Sequence, residues 1–396
     1  MASVKPVVMN PRNIAAALAI GSIALLMIGL QPILLGEMVD THHASLEGVG
    51  VIAMSEIVAV GIGVVLGDTL LPVARLRLIS VITALIVSCI DVLTGRLTGD
   101  LALAAIRASA GLGEGVLVWV ATCVIVRSHA ADRLAGIFIT LQTVAQAVVA
   151  ALFARAVIPR AGWQGGFDML GALSLVPCVF ALSLPAALKP LSSQTSKPFS
   201  WSVMAAMPLL IAFFQMAAFG SLWAYLEPIA RRAGLNAQGA QTAISAVLLI
   251  QVVGGITAVS AIRYLDNLLT LTAGAVVLAL IPAGMLVLAP GHISGFMALC
   301  GAFGFAWLFL TPFHIGLALK FDQSGRVATL APGVQLLGTA FGPLVSSLFA
   351  TGNDAGPVPF VTLGFAISAI VIGATAQMLR RRSALASCTL GQSNAH

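Results

Sequence analysis

Three ionisable side chains lie inside stretches that are otherwise apolar: Glu56 in Ala-Met-Ser-Glu-Ile-Val, and Arg107 and Glu114 in one run. Seven residues separate Arg107 from Glu114, nearly two helical turns, so on a helix they share a face roughly 10 Å apart. A charge at bilayer depth costs at least about 2.5 kcal/mol and is kept where it meets a partner or a wet cavity. One fixed cation beside two carboxylates whose ionisation responds to burial suits two tasks. It can take up and release protons, which makes Glu56 and Glu114 proton-coupling candidates. It can also grip an anion, which makes Arg107 a candidate anchor for a solute carboxylate. The alternative is an internal Arg-Glu pair that braces the fold.

Uncharged polar and aromatic groups recur at similar depth. Gln31 precedes Pro32, Gln142 and Gln146 lie one turn apart, and Gln215, Gln251 and Gln335 follow in later apolar runs. Amides both donate and accept, which fits a solute of mixed polarity, and equally fits bonds between helices. Gln31, Gln142, Gln215 and Gln335 are candidate solute-binding residues. So are Trp223 and Trp307, which stand in the aromatic runs Phe213 to Tyr225 and Phe303 to Phe313. Trp223 and Tyr225 could alternatively anchor the membrane interface. His314 could titrate near neutrality and is a further proton-coupling candidate. Adjacent His42 and His43 beside Asp40 make a poor metal site, the cysteines show no metal or redox spacing, and no cofactor is expected. No phosphate-cradling loop and no assembled nucleophile, base and orienting acid point to an ATP-driven pump or an enzyme.

The elements that must position these residues are membrane helices. Apolar residues make up 59% of the chain, charged residues 9%, and mean hydropathy is +1.04. Stretches able to cross a hydrocarbon layer of about 30 Å fall near 13–37, 46–67, 77–95, 101–126, 134–158, 166–187, 201–226, 238–260, 267–289, 293–319, 327–351 and 358–379. The period-two pattern of a transmembrane barrel is absent. The segment Arg127 to Gln142 reappears 193 residues later as Lys320 to Gln335, with Arg133 on Arg326, Gly111 on Gly304 and Gly61 on Gly254. This repeat predicts an all-α membrane protein of two pseudo-symmetric six-helix bundles, 1–187 and 201–382. The polar segment 188–200 would link them in the cytoplasm, and 383–396 reads as an unstructured tail.

With both termini inside, fourteen Lys and Arg face the cytoplasm: Lys5, Arg12, Arg75, Arg77, Arg127, Arg133, Lys189, Lys197, Arg263, Lys320, Arg326 and Arg380 to Arg382. Five face outward: Arg96, Arg155, Arg160, Arg231 and Arg232. The net charge of +6 is mostly this bias, so no nucleic-acid partner is indicated.

Leu103, Arg107, Gly111 and Gly113 follow the fourth-span pattern of the major facilitator superfamily, which the chain resembles in topology, repeat and central loop. In the loop after span two, Gly67 and Arg75 occupy that family's positions, and Asp68 with Arg75 would form the cytoplasmic gate. Leu71 and Ala74 replace its Asp and second Gly. The span-five Gly-Pro element of proton-exchanging exporters is missing, while Gly338 to Pro343 carries a related one in span eleven. The resemblance implies a monomeric secondary transporter in the cytoplasmic inner membrane, with a cavity between helices one, four, five, seven, eight, ten and eleven. The expected activity is alternating-access symport of a small organic solute, such as a carboxylate, with protons. An antiporter exporting amphiphilic compounds is the nearer alternative, and a non-transporting sensor or assembly factor the other.

The charge bias generates a test of topology. In a Cys-free background, single cysteines at positions 194 and 390 should react only from the cytoplasm, and those at 43 and 354 only from outside. External labelling at 194 overturns the orientation.

Overall fold

The computed structural model describes residues 10–128, 131–185, 188, 202–289, 291–322, 326–350 and 354–393. Among these there are fifteen α-helices and no strand. In chain order they are α1 (Pro11–Ala24), α2 (Leu26–Asp40), α3 (Leu46–Leu70), α4 (Leu76–Thr94), α5 (Asp100–Ile125), α6 (Ala131–Leu152), α7 (Ile158–Leu173) and α8 (Val176–Ala181). There follow α9 (Val203–Ala224), α10 (Leu226–Arg232), α11 (Ala237–Ala261), α12 (Asn267–Val287), α13 (Ile293–Phe321), α14 (Arg326–Ser347) and α15 (Val358–Ser393).

Ten stretches of the described chain are long and apolar enough to cross a membrane. One of them, Arg133–Ala181, holds two crossings, because Gly162 at φ 61 turns the chain back in a conformation that favours glycine. With α14, a helix of 22 residues, the crossings among the described residues number twelve. The first is broken once, at Leu25. The seventh, Val203–Ala224, ends at Tyr225, and the short α10 lies beyond it.

The packing repeats between halves. α3 lies on α5 as α11 lies on α13, α4 on α7 and α8 as α12 on α15, and α1 and α2 on α6 as α9 on α14. Gly111 and Gly304 do the same work in both copies: a methyl on either would press on a carbonyl of the neighbouring helix, Glu56 or Val247. Gly61 departs from the repeat, since it faces open space while Gly254 packs on Phe305. Lys320 pairs with Asp266 at 3.6 Å, and Arg127 donates to the Cys123 carbonyl four residues before it. The expected linker falls, apart from Leu188, outside the described residues. The expected tail is corrected through Ser393, where α15 ends, because Ala384, Leu385, Ala386 and Leu390 extend the helix and no Gly or Pro intervenes before Gly391.

Across the two halves, α3 packs on α14 and α6 on α11. At the end holding His43 and Asp354, which the charge bias places outside, the halves are sealed. Arg231 meets Asp40 at 2.9 Å, Gln241 Nε2 donates to Glu37 at 3.2 Å, and the Gly50 N–H donates to the Tyr225 hydroxyl at 3.1 Å. Trp223 and Tyr225 are fully buried in this seal and do not anchor the interface. Toward the other end an apolar groove of about 400 Å³ lies between α3 and α14, lined by residues such as Ile62, Leu66, Leu330 and Leu337.

Glu227, on α10 beyond the seventh crossing, stands in the seal beside the Gly36 backbone, and its Oε1 lacks a hydrogen-bond partner. Burial, reinforced by Asp40, pushes its carboxyl up to about 8, against the pull of Arg231 and with a further push from Glu37. A carboxyl that titrates at about 8 in the seal and near 4.5 when wetted binds more protons sealed. The seal is at full strength below the lower value and weakens as pH rises to the upper one. Spin labels at His42 and Gln238 should therefore show a growing long-distance population on raising the pH from about 5 to 9, and Glu227→Gln should abolish the response. An unchanged response in the variant would refute Glu227 as its source.

Candidate functional site

Three of the expected residues meet at one point. Arg107, fully buried on α5, places Nη2 2.5 Å from Glu56 Oε1 on α3 and 2.9 Å from Glu114 Oε1 on its own helix. The seven-residue spacing does what helical geometry requires, because the long arginine reaches down its own face. Gln31 Nε2 donates to Glu56 Oε2 at 3.2 Å, so Gln31 supports a carboxylate and is not free to line a cavity. The guanidinium also lies 5.6 Å from the centre of the Phe167 ring.

A fourth ionisable group completes the cluster. Asp91, near the end of α4, accepts from Arg107 Nη1 at 2.7 Å and from the Ser174 hydroxyl at 2.7 Å. Neither Asp91 nor Ser174 figures among the residues singled out from sequence. An acidic residue in Ser-Cys-Ile-Asp-Val-Leu was a detectable signal, masked by its nearness to the end of the span. Three carboxylates around one cation leave the cluster short of positive charge. Three polar atoms are also orphaned: Glu114 Oε2, Gln31 Oε1 and Arg107 Nε.

Arg107 is held by three carboxylates and has no exposed surface in this structure. A solute carboxylate would add a fourth negative charge where three already repel.

The C-terminal half brings together uncharged groups. Gln215, His314 and Gln335 form one hydrogen-bonded chain, with His314 Nε2 2.7 Å from Gln215 Oε1 and His314 Nδ1 3.1 Å from Gln335 Nε2. Gln215 and His314 are fully buried inside the bundle, and only Gln335 is half-exposed. Beside them Phe219 stacks on Trp307 at 5.2 Å and 16°, and Trp223 meets Trp307 edge-on at 5.7 Å. Trp307 is half-buried and presents aromatic surface, whereas Trp223 donates to the Ile28 carbonyl at 2.9 Å and belongs to the seal. That carbonyl is free because Pro32, four residues on, has no N–H. Gln142 is half-buried without a hydrogen-bond partner among the described residues, while Gln146 donates to the Leu25 carbonyl at the break in the first crossing.

The expected gate loop is not assembled between the halves among the described residues. Asp68 accepts from Trp119 Nε1 at 3.3 Å within its own half, and Arg75 is exposed in a short 3-10 turn.

No protein-family model matches the chain, and no curated protein matches it in sequence. Solved structures do match it. The crystal structure of a point mutant of the nucleoside transporter NupG superposes with a TM-score of 0.72, covering 92% of this chain and 99% of that one at 15% identity. At that identity the likeness is one of architecture, and it agrees with the twelve crossings and repeated packing: the chain has the major facilitator fold.

Proposed function

We propose that the chain is a proton-coupled secondary transporter that carries a small, uncharged, ring-bearing solute of the nucleoside class. The two bundles, 1–187 and 201–382, rock about a central site as a monomer in the cytoplasmic membrane, with both termini inside. The N-terminal cluster handles the proton and the C-terminal half the solute.

The carrying observation is the charge imbalance around Arg107: one guanidinium, three carboxylates and an unbonded Glu114 Oε2, all buried. Opposite charges about 4 Å apart attract by about 4 kcal/mol at an effective dielectric constant near 20, and like charges repel as much. A proton on Glu114 relieves that repulsion. Losing it on exposure to one side of the membrane makes the cluster sensitive to which side is open. For the solute, stacked Phe219 and Trp307 suit a flat ring, and the amides of Gln142 and Gln335 suit an edge with donors and acceptors. Saturation of Arg107 favours an uncharged solute, and the likeness to a nucleoside transporter adds to that choice.

Uptake of radiolabelled uridine into proteoliposomes under an imposed inward proton gradient tests this reading. Accumulation that collapses with a protonophore is expected, and absence of gradient-driven uptake across a nucleoside panel defeats it. Glu114→Gln should abolish accumulation yet keep exchange between equal uridine concentrations, since exchange needs rocking without net proton release. A variant that still concentrates uridine like the parent removes Glu114 from the coupling.

Removing the cation strands its partners. Arg107→Ala should destabilise the protein by roughly 3–5 kcal/mol, read as a lowered unfolding temperature in detergent. Adding Glu56→Gln and Asp91→Asn should recover most of the loss. A triple variant no more stable than Arg107→Ala would show that the cluster matters through packing and not charge.

A further inference from the structure

The chain of amides through His314 has a direction, and backbone carbonyls fix it at both ends. Gln215 Nε2 donates to the Leu271 carbonyl at 2.6 Å, and a carbonyl only accepts, so the NH2 of Gln215 lies on that side. Its Oε1 therefore faces His314 Nε2, which must carry the imidazole hydrogen. Nδ1 then holds a lone pair and accepts from Gln335 Nε2. The same NH2 gives its other hydrogen to the Thr311 carbonyl at 3.3 Å. Reversing the Gln335 amide would set its oxygen against the Thr311 oxygen and the His314 lone pair, two acceptor-acceptor contacts.

Both hydrogens of the Gln335 amide are thus engaged, and its carbonyl oxygen is left without a partner among the described residues. The chain starts at Leu271 on α12, passes through the fully buried pair Gln215 and His314, and ends at the half-exposed Gln335 on α14. A flexible amide has become an oriented one. With its hydrogen on Nε2, His314 orders the Gln335 amide and acts as a positioning residue.

We propose that Gln335 is a specificity-determining acceptor for the solute, locked by the positioning residues His314 and Gln215, so that the site selects solutes offering an N–H or O–H donor at that edge. This rests on the reading of the chain as a nucleoside-class transporter. On a nucleoside the donor is a ring N–H or a ribose hydroxyl, and single-donor deletions distinguish them.

Binding is measured by calorimetry on the purified full chain with uridine, 3-methyluridine, 2′-deoxyuridine, 3′-deoxyuridine and 5′-deoxyuridine. In the parent, one analogue should bind about tenfold or more weaker than uridine, because a locked acceptor cannot turn to meet an absent donor. For that same analogue the penalty should vanish in Gln335→Met and shrink in His314→Phe, where the amide is free to rotate. Penalties that are the same in parent and both variants overturn the proposal. A parent that binds no uridine counts against the nucleoside reading instead. Nitrogen NMR of labelled histidine, referenced to His314→Phe, then tests the lock by itself. The Nε2–H tautomer is expected, and an Nδ1–H tautomer or an imidazolium at His314 overturns it whatever the solute.

Discussion

A single guanidinium shared by three carboxylates inside the hydrocarbon layer constrains everything around it. Moving one ion from water into such a setting costs several kcal/mol even after relaxation, so none of the four charges can be left without the others. Glu56 comes from α3, Asp91 from α4, and Arg107 and Glu114 from α5, while Gln31 of α2 and Ser174 beyond α7 hold the outer oxygens. Five crossings are tied at one point. The cluster therefore braces the N-terminal half as one unit, and the contacts between halves carry no comparable tie. Those contacts are of a kind that can be remade: an ion pair and a few hydrogen bonds at one end and an apolar groove toward the other.

At the centre of the second half, Gln215, His314 and Gln335 form an uncharged chain in which each donor meets an acceptor, and aromatic rings pack beside it. Matched donors rigidify such a chain, whereas an ionic cluster short of positive charge gains from a proton. Symmetry of backbone coexists with a division of chemistry. The same helix-on-helix plan holds an electrostatic device on one side and a shape-and-edge device on the other. Arg107 lies in the fourth crossing, and the tenth, its structural counterpart, carries Trp307 and His314 at depth and its one charge, Lys320, in its last turn.

Architecture was legible in the sequence because membrane crossings and an internal repeat are signals carried by many residues at once. The charged site was legible in part for the opposite reason: Glu56, Arg107 and Glu114 are each so costly in an apolar run that they announce themselves singly. Asp91 announces itself less, since four residues from a span's end it reads as a boundary residue until the partner helix is known. The amides were harder still. Gln31, Gln146, Gln215 and Gln335 look alike in sequence, yet the first supports a carboxylate and the other three bond backbone carbonyls of other helices. Which fate each meets depends on crossings distant along the chain, as with the 121 positions between Gln146 and Leu25. The surroundings of Arg107 were hidden similarly, for a buried arginine shows its charge in the sequence but not how many carboxylates meet it.

Pro32 leaves the Ile28 carbonyl without its helical partner, and Trp223 of the opposite half supplies the missing N–H. Parting the halves at that end removes the donor, and a bare carbonyl in a dry interface costs about 1–3 kcal/mol. Only water can take the indole's place, so wetting of the gap and its opening become one event. The outward transition should then behave as a hydration step, slowed by osmolytes that withdraw water from the crevice and insensitive to the solute until that water has entered.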